Sequence, residues 1–280
     1  GTAWHGTVRL WDLTAPDPIE ARIVLWPQAG SITAIAFSPD NRWLVAGIGG
    51  YGTVFLWELT DPDLAAEPLV LHGHGAQIWG IAFSPSSRWL VTGSADGTAR
   101  VWDLANSGPV ANSIILRGHE GSVRGVAISP DGRQLATGSD DNTARLWDLT
   151  APDPAAESVV LRGHTDGILT VAFSPDNHWL ATGSYDDTAR LWDLTVSDPA
   201  AAPIVLRGHE RVVQVVAFSP DGYWLATGSQ DASARLWDLT APNPAAGSTI
   251  MHGHEGIIWA VTFSPDTHWL VTSSDDNTAR

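Results

Sequence analysis

A tryptophan followed by an acidic residue recurs along this sequence at a constant interval. Five such pairs lie 45 residues apart, and an earlier pair, Trp11-Asp12, lies 46 residues before the first of them. The five pairs are Trp57-Glu58, Trp102-Asp103, Trp147-Asp148, Trp192-Asp193 and Trp237-Asp238. Gly-His pairs keep the same spacing from Gly73-His74 to Gly253-His254. A fixed period of this length is typical of a repeat protein whose units are stable only when they pack on one another.

Each repeat is predicted to contain four short strands. In the copy that begins at Gly118 these strands are Val123–Ile128, Gln134–Gly138, Thr143–Leu149 and Ser158–Leu161. The first is small or apolar on both faces, as expected for an inner strand. The Pro and Gly of Ser129-Pro130-Asp131-Gly132 favour a hairpin turn after it. Four strands joined by tight turns indicate a propeller blade rather than a helical solenoid.

The same unit resembles the WD-repeat (WD40) family. The residues that carry the resemblance are Gly118-His119, Ser129-Pro130-Asp131-Gly132, Thr137-Gly138-Ser139 and Trp147-Asp148, and they recur along almost the whole chain. Because the copies are so alike, the chain is most similar to the regular WD arrays of large bacterial multidomain proteins. The resemblance implies an all-β propeller of four-stranded blades with no catalytic chemistry of its own.

The resemblance also implies how six blades are completed. The successive units are expected at residues 28–72, 73–117, 118–162, 163–207 and 208–252, with 253–280 and 1–27 completing one closing blade. Trp11 and the run Ile23-Val24-Leu25 match third and fourth strands, whereas Ile258–Phe263 and Trp269–Ser273 match first and second strands. Such closure would remove exposed sheet edges. The chain starts without Met and stops inside a motif, so we expect a segment of a longer protein, whose propeller could have seven blades.

The composition limits the function further. The chain has 280 residues, which suits one large all-β domain, and a formal net charge of −16. An acidic surface repels phosphate, so neither nucleic acid nor an anionic membrane is expected as a partner. There is no cysteine, which excludes thiolate catalysis and zinc–thiolate sites, and we expect a cytoplasmic location. There is also no lysine, which excludes a Walker-type phosphate loop, and no cofactor is expected.

Four units repeat a quartet of His, Thr, Asp and Trp. The quartets are His74, Thr92, Asp96, Trp102; His119, Thr137, Asp141, Trp147; His164, Thr182, Asp186, Trp192; and His209, Thr227, Asp231, Trp237. Hydroxyl, imidazole and carboxylate together could form a nucleophile triad. The resemblance instead implies a buried hydrogen-bond chain that ties turns to the indole, and four copies of one active site would serve no purpose.

The terminal copies depart from this quartet. The last copy has His254, Thr272 and Asp276, and Trp11 could supply its tryptophan if the ring closes. The first copy has Pro27-Gln28 in place of Gly-His and Ala46 at the hydroxyl position, so we expect it to lack the polar chain. The paired histidines around Gly73 and Gly253 could suggest metal ligands, but no carboxylate or cysteine cluster repeats beside them, and no metal site is predicted.

Positions that vary among near-identical repeats point to recognition rather than folding. One variable column lies early in each first strand and comprises Thr33, Trp79, Arg124, Leu169, Gln214 and Trp259. A second precedes each quartet Asp and comprises Ala95, Asp140, Tyr185, Gln230 and Asp275. By resemblance both columns surround the mouth of the central channel. Exposed Trp, Tyr and Arg are typical interface anchors, although drift at solvent-exposed positions would also produce variable columns.

The sequence therefore favours a non-enzymatic scaffold or sensor domain of a larger, bacterial signalling protein. Its expected partners are other proteins or peptides, bound through Trp79, Arg124, Leu169, Gln214, Trp259, Tyr185, Asp140 and Gln230. Two alternatives stay open at this point. The aromatic residues of the columns could bind a small ligand or a glycan, and an enzymatic propeller would need a unique set of polar groups in one blade.

Overall fold

The computed structural model describes residues 6–17, 19–20, 22–25, 30–50, 52–60, 67–105 and 113–280. Apart from a short 3-10 helix at Pro244–Ala246, the regular structure in these residues is β-strand. The predicted all-β class is thereby confirmed. Among the described residues, no helix is long and apolar enough to span a membrane.

Five antiparallel sheets of four strands follow one another along the chain. The first contains β3 (Ile32–Phe37), β4 (Trp43–Ile48), β5 (Val54–Glu58) and β6 (Leu69–Leu71). The second contains β7 (Ile78–Phe83), β8 (Trp89–Ser94), β9 (Ala99–Asp103) and β10 (Ser113–Leu116). The third contains β11 (Val123–Ile128), β12 (Gln134–Ser139), β13 (Thr143–Asp148) and β14 (Val159–Arg162).

The last two full sheets repeat this pattern. The fourth contains β15 (Ile168–Phe173), β16 (Trp179–Ser184), β17 (Ala189–Asp193) and β18 (Ile204–Leu206). The fifth contains β19 (Val213–Phe218), β20 (Trp224–Ser229), β21 (Ala234–Asp238) and β22 (Thr249–Met251). In every one of the five sheets the strands pair in sequence order, as in the predicted blade.

Two further sheets have only two strands each. One pairs β1 (Val8–Trp11) with β2 (Arg22–Leu25), and the other pairs β23 (Ile258–Phe263) with β24 (Leu270–Ser274). They match the third and fourth strands and the first and second strands of a blade, as predicted from their sequences. Within the described residues, however, they do not pair with each other, and the predicted shared closing blade is not formed.

The last three residues explain this difference. Thr278-Ala279-Arg280 correspond to Thr7-Val8-Arg9 of the N-terminal strand and differ from them only at the middle residue. They occupy the third-strand position beside β24, where the amide of Arg280 donates to the carbonyl of Thr272 over 2.9 Å and the reverse bond has the same length. The N-terminal strand therefore cannot take that position at the same time. Trp11 is half exposed and has no bond to Thr272 in the described structure, so it does not complete the sixth quartet.

Neighbouring sheets are held together by separate apolar clusters. One cluster joins Leu56 of the first full sheet to Ile78 and Trp102 of the second, and equivalent clusters lie between the later sheets. The glycine of each second strand permits this close packing. At Gly138 a Cβ atom would lie 2.6 Å from Cγ2 of Ile168 in the next sheet. Cβ atoms in proteins essentially never approach another heavy atom so closely, so a larger residue would push the sheets apart. First strands of successive sheets also lie side by side, which gives the radial order of a propeller.

Candidate functional site

The quartet of the third sheet forms a continuous chain of hydrogen bonds. Nδ1 of His119 lies 2.8 Å from Oδ2 of Asp141, and its Nε2 lies 2.8 Å from Oγ1 of Thr137. The indole Nε1 of Trp147 donates to the same hydroxyl over 3.0 Å. A carboxylate can only accept, so Nδ1 carries the proton and Nε2 accepts the hydroxyl proton of Thr137. That leaves the Thr137 oxygen to accept from the indole, and every polar atom of the chain has one defined role.

The other complete quartets have nearly the same geometry. In each, histidine lies within 2.8–3.0 Å of both its Asp and its Thr, and the indole–hydroxyl bond is 3.0–3.1 Å long. The last copy has the His254–Asp276 and His254–Thr272 contacts, both 2.8 Å. The threonines of the four complete quartets are fully buried, and their tryptophans are at most 2 % exposed. This repetition in buried surroundings indicates an architectural role.

Each quartet has two further members that the sequence predictions omitted. Oγ1 of Thr143 donates to Oδ1 of Asp141 over 2.6 Å, and the amide of Glu120 donates to its Oδ2 over 2.9 Å. The equivalent hydroxyls are Thr98, Thr188, Ser233 and Thr278. Because this Thr or Ser recurs two residues after every quartet Asp, its spacing was a usable signal.

These bonds hold the quartet aspartates in the ionised form. Burial raises the pKa of Asp96, but hydrogen bonds from Thr98 and the Gly75 amide and the nearby His74 outweigh it and lower the pKa to about 2. Burial likewise opposes the bonds to Asp231, whose pKa is also lowered to about 2. The pKa of His74 is lowered because burial disfavours the imidazolium more than Asp96 favours it. A neutral imidazole beside a carboxylate is the state that the hydrogen-bond roles require.

An arginine covers each Gly-His turn. Nη2 of Arg145 donates to the carbonyl of Gly118 over 2.7 Å, and Nη1 donates to Oγ of Ser158 over 2.9 Å. Gly118 has a φ of +142°, and a Cβ atom there would lie 2.8 Å from Nη1 of Arg145. The glycine is therefore needed both for its backbone conformation and for the space that the guanidinium fills.

The first full sheet has an apolar replacement for the quartet. Ala46 lies at the hydroxyl position and is fully buried, with Trp57 packed in the same apolar cluster. The rings of Trp57 and Phe55 are 6.0 Å apart. The other predicted departure, Pro27-Gln28, lies outside the described residues. In the described part, this sheet is stabilised by apolar contacts at the position where the others have the buried threonine.

The first variable column coincides with a β-bulge in each of the six sheets that contain a first strand. In β11 the pairing with β12 shifts between Val123 and Gly125, which leaves Arg124 without a partner in the ladder. The same shift occurs at Thr33, Trp79, Leu169, Gln214 and Trp259. A bulge re-aims a side chain and frees its residue from the ladder, and bulges are common beside binding sites. The column therefore consists of the residues that the sheet itself constrains least.

The second column lies against the first at the same end of each sheet. The amide of Asp140 donates to the carbonyl of Ser122, just before β11, over 3.0 Å. Ala95, Tyr185, Gln230 and Asp275 make the equivalent bond. These residues adjoin the quartet aspartates and hence the Gly-His turns. Both variable columns are thus brought to one end of the blades, and we call them together the bulge face.

Three sheets contribute to a cluster around Arg124. Its Nε donates to Oδ1 of Asp140 over 2.5 Å, and its guanidinium carbon lies 4.6 Å from the centre of the Trp79 ring. The centre of the Tyr185 ring lies 5.8 Å away on the fourth sheet. The indole nitrogen of Trp79 is buried and has no hydrogen-bond partner in the described structure. The cluster combines aromatic surface, one cation and one anion.

The remaining predicted residues form separate pairs. Nε2 of Gln230 donates to Oε1 of Gln214 over 3.2 Å, and Nε1 of Trp259 donates to Oδ1 of Asp275 over 2.5 Å. Leu169 is half-buried, and Trp259 is 49 % exposed. The structure therefore brings Trp79, Arg124, Tyr185 and Asp140 into one group and leaves the other predicted residues beside it on the same face.

An open depression of about 440 Å³ lies next to the Gln pair. Its wall contains Glu210, Arg211, Gln230, Asp231, Ala232, Glu255, Gly256 and Ile257. Three of these side chains are acidic and one is basic, so the depression is negatively charged at neutral pH. In the described part of the chain, no group of three or more His, Asp or Glu side chains is arranged to hold a metal ion.

The repeat resembles a known family throughout the chain. The sequence matches the WD domain, G-beta repeat family at residues 24–58, 67–103, 111–148, 156–193, 203–238 and 247–280. A comparison with curated protein sequences gave no match. The six matched segments cover most of the chain. Each begins at the fourth strand of one sheet and extends through the first strands of the next, so the family repeat is offset by one strand from the blade. The prediction of six WD units is confirmed, and the chain belongs to the WD domain, G-beta repeat (WD40) family.

Proposed function

We propose that this propeller is a non-enzymatic scaffold that binds other proteins or peptides through the bulge face. WD40 repeats generally mediate such interactions. One observation carries the proposal for this chain: in all six bulges, the residue released from the ladder is the one that varies among near-identical units. Backbone and core are repeated while this position changes, which is the pattern expected of a recognition surface.

The chemistry of the bulge face supports this choice over catalysis. Trp, Tyr and Arg dominate binding hot spots because they supply large contact areas at a small entropic cost. The groups that could form a triad are instead paired with one another within each quartet, and the same His, Thr and Asp contacts recur in five units of the described chain. We further propose that the protein belongs to a larger bacterial signalling protein in the cytoplasm, supported by the likeness of its copies and its lack of cysteine. Its charge of −16 argues against nucleic acid and anionic membranes as partners.

The proposal is tested by partner capture with matched surface variants. Trp79→Ala removes the aromatic ring under Arg124, whereas Tyr223→Ala removes a 58 % exposed ring from the hairpin turn after β19, at the other end of its sheet. We expect Trp79→Ala to lose the proteins that the wild type retains from a lysate and Tyr223→Ala to keep them. Equal capture by both variants would show that the bulge face is not the binding surface.

A further inference from the structure

The Arg124 cluster on the bulge face surrounds a guanidinium with aromatic rings and a carboxylate. A guanidinium lies over an indole, with a carboxylate from the second column bonded to its Nε. Both Arg124 and Asp140 are partly buried, at 23 % and 29 % side-chain exposure. Stacking on an aromatic ring combined with a carboxylate bond is the arrangement that suits the planar guanidinium. The chain thus holds one of its own arginines in an aromatic–acidic receptor.

An indole and a carboxylate also lie together at the C-terminal pair of strands, without a cation, and there both groups belong to the same strand pair. Asp275 is the counterpart of Asp140, and Trp259 is the counterpart of Arg124 in the first column. The indole donates to Oδ1 of Asp275, which holds the carboxylate at the edge of a ring that is 49 % exposed. Among the described residues, no arginine lies over Trp259 and no basic side chain pairs with Asp275. An aromatic face and a charged carboxylate are therefore both available to a ligand.

We propose that Trp259 and Asp275 bind an arginine side chain of a basic partner peptide. This inference rests on the proposed function, because it assigns the chemistry of the partner to one part of the bulge face. The guanidinium would stack on the Trp259 ring and bond to the free carboxylate oxygen, Oδ2. Lysine would bind more weakly, because an ammonium is not planar and cannot stack on the indole as a guanidinium does.

The surroundings of this receptor favour a basic peptide. Gly256, in the wall of the acidic depression, lies against Asp275: a Cβ atom on Gly256 would be 3.0 Å from Cβ of Asp275. Glu210, Asp231 and Glu255 in that wall add three negative charges against one positive charge from Arg211. The whole chain has a charge of −16, so a cationic peptide is attracted over long distances at low salt. The receptor and the depression together can hold an arginine and further basic residues of the same peptide.

The first test is a direct binding measurement with defined peptides. Three fluorescein-labelled Gly-Ser decapeptides would carry two arginines, two lysines or two citrullines, and their affinities would be compared by fluorescence polarisation. Citrulline keeps the shape of arginine and removes its charge. We expect the arginine peptide to bind about tenfold more tightly than the citrulline peptide, with lysine between them. Equal binding of all three peptides would overturn the proposal.

Variants of the protein locate the site. Asp275→Asn and Trp259→Leu should each weaken the arginine peptide about tenfold. Trp269→Ala is the matched control, because Trp269 is 66 % exposed at the opposite end of the same strand pair. It should bind as the wild type does. Wild-type affinity in Asp275→Asn, with thermal unfolding unchanged, would contradict the assignment.

A third variant tests whether the Arg124 cluster is a valid guide to the ligand of Trp259 and Asp275. Arg124→Ala removes the resident cation from Trp79, Tyr185 and Asp140 and leaves a second aromatic–acidic receptor empty. Calorimetric titration with the arginine peptide should then give two sites per chain in place of one. A stoichiometry that stays at one would show that the Arg124 cluster is not a guide to ligand chemistry.

The outcomes also separate this inference from the proposed function. If Trp259→Leu abolishes capture of a protein partner while the three peptides bind equally, the bulge face is a binding surface but its ligand is not an arginine. If neither Trp79→Ala nor Trp259→Leu affects capture, the proposed function itself fails. Peptide selectivity and partner capture are independent readouts.

Discussion

The indole of Trp147 donates a 3.0 Å hydrogen bond to the hydroxyl of Thr137, although the two residues come from different strands of the same sheet. That hydroxyl also donates to His119, which is bonded to Asp141. The Thr137 hydroxyl thus links the buried indole of Trp147 to His119 and, through it, to the turn that contains Asp141. The arrangement makes the threonine more important to stability than its size suggests.

Thr137→Val is expected to destabilise the propeller even though valine has the same shape and is more apolar. The change leaves Nε1 of Trp147 and Nε2 of His119 buried without their partner, and each such group costs roughly 1–3 kcal/mol. Thr137→Ser keeps the hydroxyl and serves as the control. Chemical denaturation should rank the stabilities wild type, Ser, then Val. A valine variant as stable as the wild type would show that the hydroxyl contributes little.

Gly118→Ala is expected to destabilise more than Gly132→Ala. Both glycines have positive φ values, +142° and +73°, but a Cβ atom at Gly132 would meet nothing within 4 Å. At Gly118 it would collide with the guanidinium of Arg145. The backbone strain is also larger at Gly118, because non-glycine residues such as Asn41 and Thr267 hold φ values near +60° at the turn position equivalent to Gly132, whereas the described positions equivalent to Gly118 are all glycine. The collision with Arg145 adds to this strain.

A double-mutant cycle separates the two contributions. In the Arg145→Ala background, Gly118→Ala should cost less than in the wild type, because the colliding group is gone. Denaturation of the four proteins measures the coupling. Strictly additive free energies of unfolding would rule out the proposed contact between the guanidinium and the glycine.

Stability is expected to decrease as the pH is lowered from neutral, in two ranges. The pKa of His74 is below its ordinary value of 6.5 in the folded chain, so the unfolded chain binds that proton more readily. Its contribution is complete above pH 6.5 and is lost as the pH falls through that value. Asp96, with a pKa lowered from 3.8 to about 2, contributes above pH 3.8 and loses that contribution as the pH falls toward 2.

The pH dependence is measured as the urea midpoint between pH 8 and pH 3. His164 and His209 have pKa values lowered in the same direction by burial, so the repeats act together. An Asp96→Asn variant should be less stable at neutral pH and should lose less stability between pH 4 and pH 3. A midpoint that rises on acidification from pH 7 to pH 5 would contradict the neutral imidazoles.

Much of the fold could be predicted because the same strand pattern and the same turn residues recur in each 45-residue unit. The predicted strands at Gln134–Gly138 and Thr143–Leu149 correspond to β12 and β13 within one residue at each end. The pairing of the two terminal half-blades could not be predicted, because Thr278–Arg280 and Thr7–Arg9 have nearly the same sequence and either could form the third strand beside β24. Only the hydrogen bonds of Arg280 show which segment occupies it here.

The variable positions of the bulge face could be predicted from the sequence, but the contacts between their side chains could not. Comparison of the repeats identified Arg124 and Asp140 as variable positions, but not that a bulge releases one beside the other. The bulge depends on the local register of β11 with β12, which the alternation of residues does not encode. The contact of Arg124 with Trp79 and Tyr185 joins three blades, so it depends on their packing. The predicted binding role of these residues stays a prediction.

The most direct test of the account compares two tryptophans of different roles. Trp237 is 1 % exposed and bonds to Thr227 over 3.1 Å, whereas Trp259 lies on the bulge face. Thermal unfolding and partner capture would be measured on Trp237→Phe and Trp259→Ala in parallel. The account predicts that Trp237→Phe lowers the melting temperature and keeps capture, while Trp259→Ala loses capture and keeps the melting temperature. The reverse pattern, or loss of both properties in both variants, would contradict it.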